Sequence, residues 1–279
     1  MIKPVLQNDA FVEDVLTAKS TADQLHLWWL GQSGFLIQWQ GRHLLIDPYL
    51  SDSLTKKYAG TNKPHVQMTE RVITPERLDF VDVVTSSHNH TDHLDDETLI
   101  PLMKANPDLT VIVPRANVHF AAKRLQVSSE MLTPIRADGE PVRSDPFTFH
   151  AIPSAHETLE QDENGDHRFM GLIIQVGRWT IYHSGDCVPY DGLVERLRSW
   201  KVDLALLPIN GRDPARGVAG NFTAEEAAQL GKQIKAGLVV PCHYGMFEFN
   251  TVSPDGFMEA AELIRQSYRL LKCGERLDL

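Results

Sequence analysis

Three histidines and an aspartate within six residues, His88, His90, Asp92 and His93, are the strongest chemical signal in this chain. Alternate side chains of an extended segment point the same way, so His88 and His90 can reach one metal ion together. If the chain then turns, Asp92 and His93 can face a second ion. Imidazole and carboxylate suit zinc, and also manganese or iron. The spacing therefore predicts metal chemistry; the alternative is a solvated, His-rich surface loop.

Three further residues that could bind metal each follow a strand-like run: His156, Asp186 and His243. The Val-rich run at residues 81–84 likewise precedes the first cluster. A strand end gives a ligand a rigid base, and open sheets tend to place sites at such ends. Each residue alone would more often be structural. Taken with the first cluster, they predict four strand ends that converge on one edge.

The composition and the N-terminal sequence indicate the cellular compartment. Hydrophobic residues make up 42% and charged residues 23% of the 279 residues, which is typical of a soluble globular protein. Three cysteines do not form a disulfide framework, and the N-terminus lacks the basic flank and apolar core of a signal peptide. No run approaches the roughly 18 apolar residues of a membrane span. We therefore expect a cytoplasmic protein that does not enter a membrane.

The formal net charge of -10 argues against a nucleic-acid partner held through phosphate contacts. That count ignores metals, and divalent ions would add positive charge at the site itself. A locally positive pocket on an acidic protein favours a small anionic substrate.

The periodicity predicts two similar halves, each with strands first and helices later, as in a two-sheet sandwich with helices outside. Residues 1–22 read as a short helix and linker, and residues 51–75 as a long polar loop over the site that carries Tyr58 and His65. Further strands are predicted at 25–30, 35–39, 43–46, 111–114, 147–152, 170–176, 179–183, 202–208 and 238–241. Helices are predicted at 97–105, 116–125, 193–200, 223–236 and 254–271.

These residues resemble the metallo-β-lactamase superfamily, over about residues 25–279. The resemblance implies one domain over 1–279 with an α/β fold, an αββα four-layer sandwich of two mixed β-sheets flanked by helices. It also implies two metal ions, zinc before manganese or iron. One ion would be held by His88, His90 and His156. The other would be held by Asp92, His93 and His243, with Asp186 bridging the two.

A closer resemblance is to the L-ascorbate-6-phosphate lactonase group, through residues 28–31, 182–186, 202–206 and 239–243. It implies assembly into homo-oligomers. His156 stands where that lactonase has an Asp, so the substrate and preferred metal are not carried over.

Other candidate residues have weaker signals. Asp47 matches an early family Asp that orients the first-cluster loop, and a turn Asp is the alternative. Tyr244 follows His243 and could donate to an oxyanion, or could simply pack. Arg212 and Arg216 lie in a loop after a buried strand and could clamp an anion, or could be solvated loop charges. His183 lies near the Gly185–Asp186 turn and is predicted to support the ligands or to be a core imidazole.

The function predicted from these residues is a metal-dependent hydrolase that acts on a lactone or ester of a small anionic compound such as a sugar phosphate. A metal-activated hydroxide would attack, with Asp92 orienting it and carrying a proton to the leaving group. The alternatives are a metal-dependent phosphodiesterase and a non-catalytic, metal-containing protein that binds a small molecule.

Overall fold

The computed structural model describes residues 1–21, 23–217 and 219–279 and contains two β-sheets with helices on their outer faces. Residue 22, the last of the predicted linker, lies outside the described residues. The thirteen strands run in chain order as β1 His26–Gly31, β2 Gly34–Trp39, β3 Arg42–Ile46, β4 Val83–Thr85, β5 Thr110–Pro114, β6 Leu132–Ile135, β7 Val142–Ser144, β8 Phe147–Pro153, β9 Met170–Val176, β10 Trp179–His183, β11 Leu204–Pro208, β12 Leu238–Cys242 and β13 Arg276–Asp278.

Within the described residues, seven α-helices connect or flank these strands. They are α1 Asp9–Ala18, α2 Ser53–Lys57, α3 Asp96–Ala105, α4 Val118–Leu125, α5 Leu193–Arg198, α6 Ala224–Gln233 and α7 Asp255–Ile264. Short 3-10 turns lie at Pro75–Arg77, Arg115–Asn117, Ser129–Met131 and Pro214–Arg216. Over the part of the chain that is described, no helix has the length and apolarity needed to cross a membrane.

Both sheets are mixed. The first has the order β13-β1-β2-β3-β4-β5-β6, antiparallel up to β3 and parallel from β3 to β6. The second has the order β12-β11-β10-β9-β8-β7, with β10, β11 and β12 parallel and the remaining pairs antiparallel. Two mixed sheets flanked by helices are the αββα sandwich, and the predicted fold class is confirmed.

Alternation along the strands divides the apolar side chains between two cores. In β1, Leu27 and Trp29 belong to the core between the sheets, whereas Trp28 and Leu30 belong to the core beneath α1, α3 and α4. This follows from the two-residue period of a strand, which sends neighbouring side chains to opposite faces. Helices α5, α6 and α7 cover the second sheet, and all five residues of β11 are buried as a result. The first sheet is therefore buried on both faces, which fixes where its strand ends lie.

Three strands, β6, β7 and β13, were not predicted, and two predicted elements differ from the structure by more than a few residues. Residues 51–75 are not entirely loop, because α2 forms within them. The last long helix ends at Ile264 rather than at residue 271, since Arg265 adopts a left-handed conformation with φ of 55°. The segment after it runs beside β12, with the Val239 amide donating to Ser267 O at 3.0 Å. Those backbone bonds to the sheet stabilise extended chain over continued helix.

A capping box formed by Thr223 and Glu226 begins α6, within the helix predicted at 223–236. We expect Thr223→Ala to lower the free energy of unfolding by about 1 kcal/mol, because it removes the hydroxyl that accepts from the Glu226 amide. Thr223→Ser keeps that acceptor and is the control. Urea denaturation of both variants tests the prediction, which fails if the serine and alanine variants lose equal stability.

Candidate metal centre

Four strand ends from both sheets meet at the predicted cluster. Strand β4 of the first sheet leads into the His88–His93 loop, and β8, β10 and β12 of the second lead to His156, Asp186 and His243. Strands β10, β11 and β12 are parallel, so β10 and β12, on either side of β11, bring Asp186 and His243 to the same edge of the sheet. The two sheets thus contribute to one site.

The seven predicted ligands fall into two groups, and within each group one donor atom per residue lies within 4.8 Å of the others. The first group is His88, His90, His156 and Asp186, and the second is Asp92, His93 and His243. Asp186 faces both groups. Its Oδ1 lies 3.2 Å from His93 Nε2, and its Oδ2 lies 3.5 Å from His156 Nε2 and 3.6 Å from His243 Nε2. The structure therefore brings all seven together in the predicted partition, and their role as ligands stays a prediction.

Hydrogen bonds on the far ring nitrogen aim two of the imidazoles. His93 Nδ1 lies 2.6 Å from Asp47 Oδ2, and His156 Nδ1 lies 2.8 Å from Gly220 O. Each contact leaves Nε2 directed at the other group members. Histidines that bind metal usually donate their second N–H to a carboxylate or carbonyl in this manner. The arrangement is that of ligands held in one tautomer.

The donor atoms of the cluster fit a divalent cation. His88 Nε2, His93 Nε2 and Asp186 Oδ1 are buried and form no well-aligned hydrogen bond with residues 1–21, 23–217 and 219–279, although His93 Nε2 and Asp186 Oδ1 lie 3.2 Å apart. Buried polar groups are normally satisfied, so a converging set of unsatisfied nitrogen and oxygen donors calls for a ligand that accepts their lone pairs. Imidazole and carboxylate together suit zinc, manganese or iron.

The charges in the cluster also indicate that a cation would be stabilised there. Burial opposes ionisation of Asp186, but His93 and His243 hold the pKa of that carboxyl well below its usual value. Burial likewise opposes protonation of His93, yet Asp186 and Asp92 raise its pKa well above the usual value. At His90, burial lowers the pKa to about 4, which leaves a neutral imidazole. The carboxylates therefore demand positive charge at this position.

Asp47 lies beneath the ligand loop, where its predicted orienting role would place it. The carboxylate is fully buried and accepts from the Ser87 amide at 2.8 Å as well as contacting His93. His183 is also buried and lies behind the ligands. Its Nε2 is 3.1 Å from Ser33 O, and its Nδ1 accepts from the Gly185 amide at 3.2 Å. Both residues position the chain next to a ligand.

Tyr244 and Arg212 do not line the cavity at the cluster, which favours the alternatives of packing for Tyr244 and of a loop charge for Arg212. The Tyr244 hydroxyl donates to Leu271 O at 3.2 Å, and its ring packs on Trp29. Arg212 forms an ion pair with Glu226, with Nη1 2.6 Å from Oε2. These groups line other cavities than the one at the cluster.

Arg216 is held by neutral acceptors away from the cluster. It donates to Asn250 Oδ1 at 2.8 Å and to Asn210 O at 2.9 Å, so it supports Asn250 rather than facing the cluster itself. Asn250 lines the cavity at the cluster, whereas Arg216 does not. Neither arginine lines the cavity at the cluster, so this geometry favours the alternative of a loop charge over the predicted clamp on an anion.

A cavity of about 300 Å³ opens at the cluster, and several of its wall residues were missed by sequence reasoning. Those missed are Gln32, Lys57, Lys63, Asn221, Phe247 and Asn250, whereas Tyr58 and His65 of the 51–75 segment line it as expected. Gln32 Nε2 donates to Asp92 Oδ2 at 2.9 Å. Its position two residues before β2 was the only sequence signal for it, and that signal is weak.

Lys57 and Lys63 give the cavity wall a positive charge that no carboxylate neutralises within the described residues. Lys57 Nζ donates to Thr91 Oγ1 at 3.0 Å, and Lys63 Nζ to Gly217 O. The neighbouring Lys56, by contrast, pairs with Asp52 at 2.7 Å and Glu97 at 2.8 Å. An anion entering this cavity would meet two unpaired ammonium groups.

Comparison with known proteins gives the family and supports the fold. Residues 42–244 match the model of the beta-lactamase superfamily domain. A UPF0173 metal-dependent hydrolase from Caldivirga maquilingensis is 28% identical over 259 residues, covering 91% of this chain and 98% of the relative. A metallo hydrolase from the archaeon Ignicoccus hospitalis superposes with a TM-score of 0.67 at 20% identity, covering 92% of this chain and 98% of the other. An isothiocyanate hydrolase from Delia radicum gut bacteria has a TM-score of 0.71 at 20% identity, covering 90% and 98%.

The Asp47–His93 contact predicts a measurable effect on metal binding. Asp47→Asn removes the negative acceptor that fixes the His93 tautomer, so we expect zinc affinity to fall by about 10- to 100-fold in a chelator competition titration. Asp278→Asn is the matched control, since Asp278 makes the same 2.6 Å contact with His26 and neither residue lines the cavity. Equal losses in both variants would contradict the assignment.

Proposed function

This chain belongs to the family of the beta-lactamase superfamily domain, and we propose that it is a metal-dependent hydrolase. One observation carries the proposal: Asp186 contacts two groups of side chains that could each hold a metal ion, at the wall of a single cavity. The proposal is supported by relatives that are named metal-dependent hydrolases and that this chain matches over nearly their whole length. A purely structural metal site would be closed, whereas this cluster borders open space.

Two divalent ions are the proposed cofactors, with zinc first and manganese or iron as alternatives. Bound at these residues, such ions would supply a nucleophile at neutral pH and polarise the substrate oxygen. His88, His90 and His156 would hold one, Asp92, His93 and His243 the other, and Asp186 would contact both. Asp47 and Gly220 O keep His93 and His156 in the tautomer that this requires.

Asp92 is the residue of this chain best placed to move a proton. Its side chain is 16% exposed, the most open of the carboxylates in the cluster. Gln32 Nε2 donates to its Oδ2 and fixes its direction. Although burial raises the pKa of Asp92, His93 and His243 lower it below its usual value, so the group is ionised. It can accept a proton from the attacking water and return it to the leaving oxygen.

The proposed substrate is a small anion that carries a lactone or ester bond, such as a sugar phosphate derivative. The cavity of about 300 Å³ suits a small compound. Lys57 and Lys63 supply the positive charge for an anionic group, in place of the arginines that the sequence suggested. Asn221 and Asn250 offer neutral amides to its polar groups.

Metal and Asp92 are tested together with a panel of lactones, esters and bis(p-nitrophenyl) phosphate. Removing metal with a chelator should abolish hydrolysis, and zinc or manganese should restore it. Asp92→Ala should lower kcat by about 100-fold or more at full metal loading, because the proton carrier is lost. Asn89→Ala in the same loop is the control, since its side chain does not line the cavity. Two bound metal equivalents with no turnover of any panel member would favour a non-catalytic binding protein instead.

The lysines are tested through substrate charge. Lys57→Ala should raise KM for anionic esters by about 10-fold, the effect of losing one charged contact, while leaving KM for neutral esters and kcat unchanged. Lys56→Ala is the matched control, because that neighbouring ammonium is already paired with Asp52 and Glu97. If KM for anionic esters rises equally in the Lys57→Ala and Lys56→Ala variants, Lys57 has no specific role in substrate recognition.

A further inference from the structure

A second cavity, of about 500 Å³, lies on the other side of the His243 segment from the metal cluster. Its walls are mainly apolar and include Trp29, Tyr244, Met246, Leu270 and Leu271. The volume falls within the range of small-molecule sites in proteins. Of the residues assigned to metal or substrate above, none lines it. The cavity is therefore unexplained by the proposed hydrolysis.

The charges at this second cavity favour one class of occupant. Lys3, Arg269, Lys272 and Glu275 line it. Arg269 Nη2 pairs with Glu275 Oε1 at 2.8 Å, whereas the Lys3 and Lys272 side chains have no carboxylate partner anywhere in the described chain. Two unpaired ammonium groups beside an apolar cavity, on a protein of formal net charge -10, are complementary to an anion that carries a hydrocarbon body.

The wall between the two cavities consists of two loops in an uncommon conformation. Gly31 and Gly245 line the second cavity, while Gln32 and His243 line the first. All four have positive φ, of 95° and 70° for the glycines and 46° and 63° for Gln32 and His243. The left-handed region is unfavourable for a residue with a side chain, so neighbouring groups must hold Gln32 and His243 in it.

One backbone bond ties these loops together, from the His243 amide to Gln32 O at 2.9 Å. His243 belongs to the metal cluster, and Gln32 donates to Asp92 of the same cluster. Whatever packs against the rear of these loops therefore bears on the placement of two cluster residues. A ligand in the second cavity that orders these two loops would reduce the conformational entropy that is lost when a metal ion binds at the cluster.

We propose that the second cavity binds a small amphiphilic anion, an aromatic or aliphatic carboxylate or sulfonate, and that its occupancy raises metal affinity at the cluster. The coupling is reciprocal by linkage, so metal must raise the affinity for the anion by the same factor. Neither half of this proposal depends on hydrolysis, because both are read from binding alone.

The probe is 8-anilino-1-naphthalenesulfonate, titrated by fluorescence against the full chain with any N-terminal tag removed. We expect saturable binding at one site, weaker binding of the uncharged N-phenyl-1-naphthylamine, and a dissociation constant that falls by about fivefold or more when zinc is added. Zinc affinity, measured by chelator competition, should rise by the same factor at saturating probe. An unchanged dissociation constant with and without zinc would overturn the coupling and with it the proposal.

Two variants test whether the probe binds in the second cavity. Leu270→Trp fills the cavity and should abolish binding. Lys272→Glu, at an exposed position, should weaken binding about tenfold, the effect of losing one charged contact, and it keeps the test valid if the tryptophan variant does not fold. Lys57→Ala is the control, because it alters the cavity at the cluster and should leave probe binding intact. Binding lost only in Lys57→Ala would place the anion at the cluster. Binding replaced by concentration-dependent dimerisation would assign the surface to a second copy of the chain. Either result would overturn the proposal.

Discussion

An ionised carboxylate that is removed from water must lie next to positive charge. The buried Asp186 therefore requires such partners, and the fold must bring them to it. It is 4% exposed, and its oxygens face His93, His156 and His243 across 3.2–3.6 Å. An isolated buried carboxylate would be protonated or would destabilise the fold. The imidazoles offset its negative charge, and a bound cation would do the same. The preceding Gly185 shows how closely the chain is packed there. A Cβ on it would lie 2.7 Å from Met170 O, and its φ of 57° favours glycine.

The two sheets matter because they carry those partners from distant parts of the chain. The parallel strands of each sheet end where their ligand loops begin, so packing of the apolar cores sets the distances within the cluster. Burial of the first sheet on both faces fixes β4, and β4 fixes the loop that holds His88. Asp47 then links this loop to the end of β3 through Ser87 and His93. Stability of the fold and geometry of the site thus rest on the same contacts.

The sequence could predict the cluster because histidine and aspartate at strand ends carry their chemistry in their type and spacing. It could not predict the direction of Tyr244, since a residue next to a ligand in the chain points elsewhere when that ligand has φ of 63°. Lys57 and Lys63 have no pattern in the sequence, and only the path of residues 51–75 brings them to the cavity. The end of α7 was misplaced because backbone bonds to β12, formed with residues nearly thirty positions away, compete with helix there.

We propose that these seven side chains hold two divalent ions, with Asp186 contacting both. Crystals of the zinc-loaded protein, measured by anomalous diffraction at the zinc edge, would locate the ions. We expect two peaks, each about 2.0–2.2 Å from its histidine and carboxylate ligands, one beside His88, His90 and His156 and one beside Asp92, His93 and His243. No peak, a single peak, or ions held by other residues would contradict it.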